Sequence, residues 1–441
     1  MTASISFEER PLRKRPRVLM FAPYMLPASS PEAIVNAKLA LAGLRAGWDL
    51  DVVSRQPREP LWYPEDRTFW ADLDGRVSIL DTPRRAAPRD ILGRGRSKRL
   101  FPGLHPLFGN AWAASAVAEA RKLMGRNQYD FILSRALPEY AHLPALVIAR
   151  ETRVPWIANW NDPAPLEIAP PPYGRGPDIH LDGPRPLKAF KEKSLRRFLM
   201  AVAAEASWHT FPSEKLRRYM SLLLGPDLAG KSSVVPHIAL KRDILDLPPR
   251  DPNAFTLAHI GSLKAPRSPR CFLEGLSLFL KRARPARPVS AHFLGDPGAE
   301  AAALISSLRL SSVISISPPL PYPQAMAEMS RETVLVVIEA PMAEGFCLPS
   351  KIADYAQAGR PILAVSPRPS TLADLLAEHG GGLAADGGSP EDVARAIEVL
   401  YEGWSGGNLR DDWSTRRLSA YFAAPRVLGL YERLFESLGR G

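Results

Sequence analysis

The feature of this sequence that most constrains its fold is a repeated alternation of short apolar runs with amphipathic segments. Residues 18–22 form an uninterrupted apolar run, and a segment with helical periodicity follows from about residue 32 to residue 46, where Gly47 ends it. A second strand is predicted directly after it, in the stretch WDLDVVS. Strands that are buried on both faces show no polar alternation, and glycine is common just after the last turn of a helix. The pattern therefore predicts a parallel sheet that is covered by helices on both faces.

The same alternation continues along the chain in two blocks. In the first block, further strands are predicted at residues 131–133, 156–159, 208–211 and 233–236. In the second block, the strands begin at FTLAHIGSL and continue through VSAHFLG, VISI, TVLVVI and RPILAV, before the helix PEDVARAIEVLYEGW. Two such blocks predict an α/β protein with two Rossmann-like, doubly wound domains that face a central cleft.

The chain length supports the same division. Its 441 residues fit two domains of about 200 residues each. A junction that contains Pro248, Pro249 and Pro252 separates the two blocks. We predict a first domain at residues 1–240, a second domain at 241–405, and a helical segment at 406–441 that returns to the first domain.

Composition narrows the class of protein. Hydrophobic residues make up 46% of the chain and charged residues 23%, which is typical of a globular protein. The only two cysteines, Cys271 and Cys347, favour free thiols in a reducing compartment. The apolar run at residues 18–22 is too short for a signal peptide or a membrane span. We therefore expect a cytoplasmic protein without a membrane-spanning segment.

The positive charge is concentrated in one region. The net charge is +11, and residues 81–100 hold seven basic residues, followed by an apolar and aromatic stretch at 101–112 that ends at Trp112. Such a combination suits an anionic membrane surface, so peripheral attachment to the inner face of the membrane is one interpretation and a solvated loop is the other. A nucleic-acid partner is not expected, because no aromatic residues are interleaved with the basic ones on a strand.

The loops that follow the predicted strands are the places to search for a ligand site. In open parallel sheets, ligands bind beyond the carboxyl ends of the strands, where helix N-termini offer N–H groups to phosphate. These loops lie at residues 27–31, 134–142, 160–163, 261–270 and 339–354. The chain has no P-loop, nucleophile elbow or zinc-protease motif, which argues against nucleotide hydrolysis, ester hydrolysis and zinc proteolysis.

Three of these loops carry a resemblance to a known group of enzymes. The stretches LPSKIADYAQAGRPILAV, IGSLKAPRSPRCFLEGLSLF and VPWIANWNDPAP resemble the GT-B retaining glycosyltransferases of the family 4-like group. The resemblance implies transfer of a hexose from a UDP- or GDP-linked sugar to a carbohydrate or lipid-linked acceptor, in polysaccharide or glycoconjugate synthesis. The first domain would lie on the acceptor side and the second would bind the nucleotide sugar, with no metal or further cofactor.

The resemblance also implies a set of donor-binding residues. Asp354 stands where the family has the acidic residue that binds the ribose hydroxyls, usually a glutamate. Lys264 and Arg267 follow the strand that ends at Gly261, and suit the donor diphosphate because arginine offers a pair of N–H donors and lysine a point charge. Arg270 in the same loop is a further candidate, and the sequence leaves open which two of the three make contact. Lys351, just before a predicted helix, is a further candidate for donor contact. Ser29 and Ser30 are two more, at a place where relatives have paired glycines.

Three residues are candidates for contact with the reacting sugar. His142 resembles a helix-borne histidine that some relatives place near the sugar, although a lone histidine is equally typical of a protein core. Asp162 follows the predicted strand WIANW and faces the cleft, or caps a turn before Pro163. Glu344 is the carboxylate nearest to the place where the family often has a second glutamate, and where this chain has Phe346.

Two other functions remain open from the sequence. A GT-B scaffold that binds a nucleotide sugar or a partner transferase without catalysis is one, because the changes at Asp354 and Phe346 depart from the family pattern. A nucleotide-sugar epimerase is the other, and it would need an acid and a base around the sugar. The sequence shows no clear pair of this kind.

Overall fold

The fold is described from a computed structural model of the chain. The structure describes residues 15–27, 30–55, 66–80, 110–163, 185–240, 248–264 and 266–439. The basic stretch at 81–100, most of the aromatic stretch that follows it, and Ser29 lie outside these residues. Trp112 lies inside them, and it is buried with its indole N–H donated to the carbonyl of Ser54. This tryptophan therefore belongs to the core and not to a membrane-facing patch.

The first of two parallel sheets is built from residues 17–234. Its strand order in the described part of the chain is β3-β2-β1-β4-β5-β6-β7. The strands are β1 (Arg17–Phe21), β2 (Asp49–Arg55), β3 (Val77–Leu80), β4 (Phe131–Ala136), β5 (Trp156–Trp160), β6 (Trp208–Phe211) and β7 (Ser232–Val234). The helices are α1 (Pro31–Arg45), α2 (Trp70–Leu73), α3 (Asn110–Met124), α4 (His142–Thr152), α5 (Arg185–Glu205), α6 (Glu214–Leu224) and α7 (Asp227–Gly230).

The second sheet has the strand order β10-β9-β8-β11-β12-β13 among the described residues. Its strands are β8 (Phe255–Ile260), β9 (Val289–Leu294), β10 (Ile314–Ser317), β11 (Val334–Ile338), β12 (Ile362–Ser366) and β13 (Gly382–Asp386). The helices are α8 (Arg270–Ala283), α9 (Ala301–Ser307), α10 (Tyr322–Arg331), α11 (Lys351–Gln357), α12 (Thr371–His379), α13 (Pro390–Ser405), α14 (Leu409–Asp412), α15 (Arg416–Phe422) and α16 (Ala424–Leu438).

The two-sheet α/β architecture predicted from the alternating pattern is confirmed. Strand order reverses beside β1 in the first sheet and beside β8 in the second, which is where open sheets form ligand crevices. Gly47 follows α1 with a φ of 93°, as a glycine after a helix does. Two strands were not predicted, because β3 is an edge strand of four partly exposed residues and β13 carries the weakly apolar sequence GLAAD.

One hydrophobic core runs from the first sheet to the second. It joins apolar residues of α1 to those of α11, α15 and α16, whereas the outer face of each sheet has a separate core. The last helix, α16, packs on the first sheet, with the ring of Phe435 stacked 4.4 Å from that of Phe131 and close to Trp48. The chain divides between Val234 and Phe255, which supports the domain boundary near residue 240 that we propose.

Candidate functional site

A cavity of about 140 Å³ lies between the two domains. Loops after β5, β8 and β11 and the first turns of α1 and α11 form its wall, so it lies at the carboxyl ends of strands from both sheets. Its polar lining brings together residues that are far apart in the chain, namely Glu32, Asn161, Asp162, His237, Ser262, Arg267, Ser350 and Lys351. Four of the predicted site loops thus converge on one place.

Two cations from the second domain face this cavity. Arg267 stands in the loop after β8 and is exposed, and its guanidinium makes no hydrogen bond or ion pair with a described residue. Lys351 is the first residue of α11, and its Nζ lies 3.0 Å from Nε2 of His259. Burial, and then the charge of Arg267, lowers the pKa of Lys351 to about 7.

The glycine at the end of β8 makes room for the lysine. Gly261 has a φ of 107°, a left-handed conformation that favours glycine, and a Cβ at this position would lie only 3.2 Å from Nζ of Lys351. His259 donates from Nδ1 to the carbonyl of Val336, which leaves its Nε2 to accept from the lysine. The ammonium group is therefore positioned by β8, although it belongs to α11.

Two carboxyl groups from the first domain stand opposite the cations. Asp162 follows β5, and Glu32 lies in the first turn of α1. Burial raises the pKa of Asp162, while Arg267 opposes that shift. Burial raises the pKa of Glu32 to about 7, and the neighbouring Asp162 adds to the effect. The cavity therefore holds a carboxyl group that titrates near neutral pH, beside a second carboxyl and two basic groups.

A histidine and an asparagine complete the polar wall. His237 donates from Nε2 to the carbonyl of Leu348 and so joins the two domains. Asn161 is buried, and its Nδ2 has no hydrogen-bond partner among the described residues. This amide is therefore available to a ligand in the cavity.

Asp354 does not line this cavity, and its assignment to the donor ribose stays a prediction. Its Oδ1 accepts from Nζ of Lys38 at 2.5 Å and from the hydroxyl of Tyr322 at 2.7 Å, and the residue is buried. Lys38 belongs to α1 of the first domain, one turn beyond the cavity residue Val35. The structure places Asp354 in a buried ion pair between the domains.

Glu344 also lies outside the lining of this cavity, and its assignment to the reacting sugar stays a prediction. Its Oε1 is 3.0 Å from Nζ of Lys215 in the first domain. Phe346, two residues later, is buried and stacks on Tyr219 with the ring centroids 4.6 Å apart. The loop after β11 therefore joins the domains here through an ion pair and an aromatic contact.

His142 lies in the core of the first domain. Its Nδ1 lies 2.7 Å from the hydroxyl of Ser134, its ring is 4.3 Å from that of Trp160, and the residue has no exposed surface. Burial lowers its pKa to about 3. These contacts are those of a core histidine, which is the alternative that the sequence left open, and a catalytic role is not supported.

The remaining donor candidates are placed less centrally. Ser30 caps α1 by accepting from the N–H of Ala33, so its hydroxyl is already engaged. Lys264 is exposed in the loop after β8 and does not line the cavity. Of the predicted residues, Asp162, Arg267 and Lys351 are brought together, with Gly261 beneath the lysine.

Sequence reasoning missed Glu32 and did not weigh Asn161 as a ligand contact. Glu32 was treated only as the start of a helix, although its position after the β1 loop was a signal for a site residue. Asn161 adjoins Asp162 at the end of β5, so the same signal applied to it. No group of three or more metal-binding side chains occurs within the described residues, and no described helix is long and apolar enough to cross a bilayer.

Comparisons with known proteins give a likeness in three dimensions only. No protein-family model matches the sequence, and a search of curated proteins finds no relative. Solved structures do match, each at low identity. HepE of Anabaena, in complex with UDP and glucose, has a TM-score of 0.64 at 14% identity over 96% of this chain and 100% of its own.

Two synthases give similar values. Sucrose-phosphate synthase from Thermosynechococcus elongatus has a TM-score of 0.62 at 13% identity over 96% of this chain and 100% of its own. The UDP-forming α,α-trehalose-phosphate synthase from Burkholderia vietnamiensis has a TM-score of 0.57 at 14% identity over 97% of this chain and 99% of its own. These likenesses extend over nearly the whole chain, and the chain therefore has the GT-B fold.

Proposed function

We propose that this protein is a glycosyltransferase that takes a sugar from a nucleotide-diphosphate sugar bound at the interdomain cavity. The observation that carries the proposal is the convergence of Arg267 and Lys351 from one domain opposite Glu32 and Asp162 from the other. Cations at this place suit a leaving diphosphate, whose negative charge grows as the glycosidic bond breaks. The complex of HepE with UDP and glucose supports a nucleotide sugar as the ligand class.

The carboxyl groups suit the acceptor side of the reaction. When the bond from the sugar to the diphosphate breaks, a bond forms to the acceptor oxygen, and that hydroxyl loses its proton. A group with a pKa near the working pH accepts a proton most effectively. Glu32, with a pKa of about 7, meets this condition and would take up the acceptor proton, and the charge of Asp162 beside it helps to raise that pKa. Only the family resemblance supports two finer parts of the proposal, namely that the configuration of the sugar is retained and that the acceptor is a carbohydrate or a lipid-linked molecule.

The size of the cavity implies movement of the domains. At about 140 Å³ it is smaller than the roughly 300–1,000 Å³ that sites for small molecules usually have. By this comparison the cavity is too small for a whole nucleotide sugar. We infer that the two domains separate to admit the donor and close over it, and that the ion pair between Lys38 and Asp354 belongs to the closed arrangement.

A panel of nucleotides tests the proposal. Purified protein is titrated by calorimetry with UDP, GDP, UMP, UDP-glucose and GDP-mannose, and we expect a diphosphate to bind more tightly than a monophosphate of the same base. Nucleoside diphosphate release is then measured with neutral sugars as acceptors. Absence of binding to every nucleotide diphosphate would contradict the proposal.

A binding protein without transferase activity is the second candidate. The observation that favours it is the engagement of Asp354 by Lys38 and Tyr322, because the family uses this position for the donor ribose. Nucleotide-sugar binding without diphosphate release would support it. Conversion of the bound sugar into its epimer, without release and without an acceptor, would instead identify an epimerase.

Binding of a diphosphate is expected to weaken as the pH rises above 7. The folded-state pKa of Lys351 lies at about 7, so the free protein loses this positive charge as the pH rises through that value. Glu32 gains a negative charge over the same interval, and both changes disfavour an anion. We expect UDP affinity to fall by up to about tenfold per pH unit for each proton taken up on binding. Calorimetry between pH 6 and 9 checks this, and Lys351→Met should flatten the profile.

The same pKa values predict the sign of two contributions to stability. The raised pKa of Glu32 gives a contribution that is present below its unfolded value and is lost as the pH rises through about 7. The lowered pKa of Lys351 gives a contribution that is present above its unfolded value and is lost as the pH falls towards 7. For the preceding prediction on binding, a UDP affinity that does not change between pH 6 and 9 would contradict a role of Lys351 and Glu32 in diphosphate binding.

A further inference from the structure

Lys351 is a half-buried lysine of the interdomain cavity that has no carboxylate partner among the described residues. Its Nζ lies 3.0 Å from Nε2 of His259 and packs over Gly261, where a Cβ would be only 3.2 Å away. Lys38, which also lies between the domains, is by contrast held by Asp354 at 2.5 Å. The amine of Lys351 is therefore positioned by neutral groups, and it can lose its charge without breaking an ion pair.

His259 sets the direction in which this amine can react. The histidine is buried, and its Nδ1 donates to the carbonyl of Val336, so its Nε2 accepts a hydrogen bond. An unprotonated lysine amine has two N–H groups and one lone pair. When one N–H is donated to His259, the lone pair points away from the imidazole, and it is free to attack a reagent in the cavity.

Two physical causes keep a large part of the Lys351 amines unprotonated at neutral pH. Removal from water and a neighbouring positive charge both disfavour the ammonium form of lysine, and both activate lysine as a nucleophile. The neighbouring charge is that of Arg267, and together the two causes bring the pKa of Lys351 to about 7. A lysine with the ordinary pKa of about 10.4 has roughly one amine in a thousand unprotonated at about pH 7.4.

Arg267 limits the kind of reagent that suits this amine. Its exposed guanidinium has no ion-pair partner among the described residues, and arginine binds phosphate with paired N–H donors. The carboxyl groups of Glu32 and Asp162 line the opposite wall, so an anion is favoured on the side of Arg267. The cavity of about 140 Å³ exceeds the roughly 10–15 Å³ that one water needs, so it admits a small molecule. A phosphate with an electrophilic carbon beside it suits both basic groups.

We propose that Lys351 is a site of covalent acylation by small acyl phosphates, with Arg267 bound to the phosphate that leaves. The lone pair of Nζ attacks the acyl carbon, and a C–N bond forms. The bond from that carbon to the phosphate oxygen breaks, phosphate leaves with the electron pair, and the amine loses one proton to water. The product is a neutral amide. The proposal goes beyond sugar transfer, and only its consequence, weaker binding of a diphosphate by the acylated protein, rests on the proposed function.

Acetyl phosphate is the probe that tests this site. The purified full chain is incubated with it at pH 7.5, and peptide mass spectrometry follows the acetylation of each lysine with time. We expect Lys351 to react at least about tenfold faster than Lys193 and Lys281, which are exposed and lie outside the cavity. The gain in unprotonated amine is on the order of several hundredfold, and the weaker nucleophilicity of a less basic group offsets part of it.

Three variants separate this site from general acetylation of the surface. Lys351→Arg keeps the charge and should remove the fast reaction. Arg267→Gln should slow acetylation of Lys351 at least about threefold, since the contact with phosphate is lost. Arg270→Gln should leave it unchanged, because Arg270 is held by two glutamates and does not line this cavity. Acetylation of Lys351 no faster than that of Lys193, or equal slowing by both arginine variants, would overturn the proposal.

A titration of the acetylated protein with UDP distinguishes this proposal from the proposed function. We expect the affinity for UDP to fall with the fraction of Lys351 that is acetylated, because the amide carries no positive charge. Fast acetylation with an unchanged affinity for UDP would support the acylation site and contradict the placement of the diphosphate beside Lys351.

Discussion

Replacement of Arg267 by glutamine is expected to weaken the binding of a nucleoside diphosphate by up to about a hundredfold, while the fold is preserved. The guanidinium lines the interdomain cavity, is exposed, and has no ion-pair partner among the described residues. A charge-assisted, two-pronged contact with phosphate contributes about 1.5–3 kcal/mol. Its loss therefore appears in the affinity, whereas no contact that supports the folded chain is removed.

A matched arginine lies three residues away. Arg270 is also exposed, but it is held by Glu300 and Glu274 and does not line the interdomain cavity. Arg270→Gln should change UDP affinity by less than about threefold, since it removes only long-range charge that salt screens. Arg267→Lys should give an intermediate affinity, because it keeps the positive charge and loses the paired N–H donors of the guanidinium group. Calorimetric titration of the three variants with UDP makes the comparison, and equal losses in Arg267→Gln and Arg270→Gln would show that charge alone matters.

The sequence predicted the sheets well because their strands are buried on both faces. β1, β11 and β12 are wholly or almost wholly buried, so their residues had to be continuously apolar. The edge strands were harder to predict, because an edge strand has a neighbouring strand on one side only and its residues need not be continuously apolar. Val77–Leu80 shows this, because all four of its residues are only partly buried.

The site was predicted in part because topology fixes where loops gather and not where side chains point. The strand ends at Asp162 and Gly261 followed from the order of strands alone. The pairing of Asp354 with Lys38 joins residues 316 positions apart, and no local pattern around either residue indicates it. Lys38 lies on the buried side of α1, among alanines and leucines, and the neighbouring sequence indicates no ion-pair partner for it.

The same limit explains Glu344 and Phe346. Both lie where the family places sugar contacts, yet each reaches a different residue of the first domain. Stacking of Phe346 on Tyr219 gives an apolar anchor at a position where the family often has a carboxylate. In this chain the loop after β11 therefore makes contacts between the domains, and the carboxyl groups that line the cavity are those of Glu32 and Asp162.

The ion pair between Lys38 and Asp354 leads to the largest expected effect on stability. Both residues are buried, at 2% and 6% exposure, and they join α1 of one domain to α11 of the other. Removal of one partner leaves a buried charge without compensation, which costs about 3–5 kcal/mol. Asp354→Leu should therefore lower the free energy of unfolding by that amount, as measured by urea denaturation.

Two further variants decide whether the cost arises from the unpaired lysine. Lys38→Met combined with Asp354→Leu removes both charges, and it should recover most of the loss because apolar replacement of a buried pair is often nearly neutral. Asp72→Ala breaks the exposed pair between Arg45 of α1 and Asp72 of α2, and should cost less than about 1 kcal/mol. If Asp354→Leu costs no more than Asp72→Ala but still reduces UDP affinity, Asp354 contacts the donor and the ion pair does not hold the domains together.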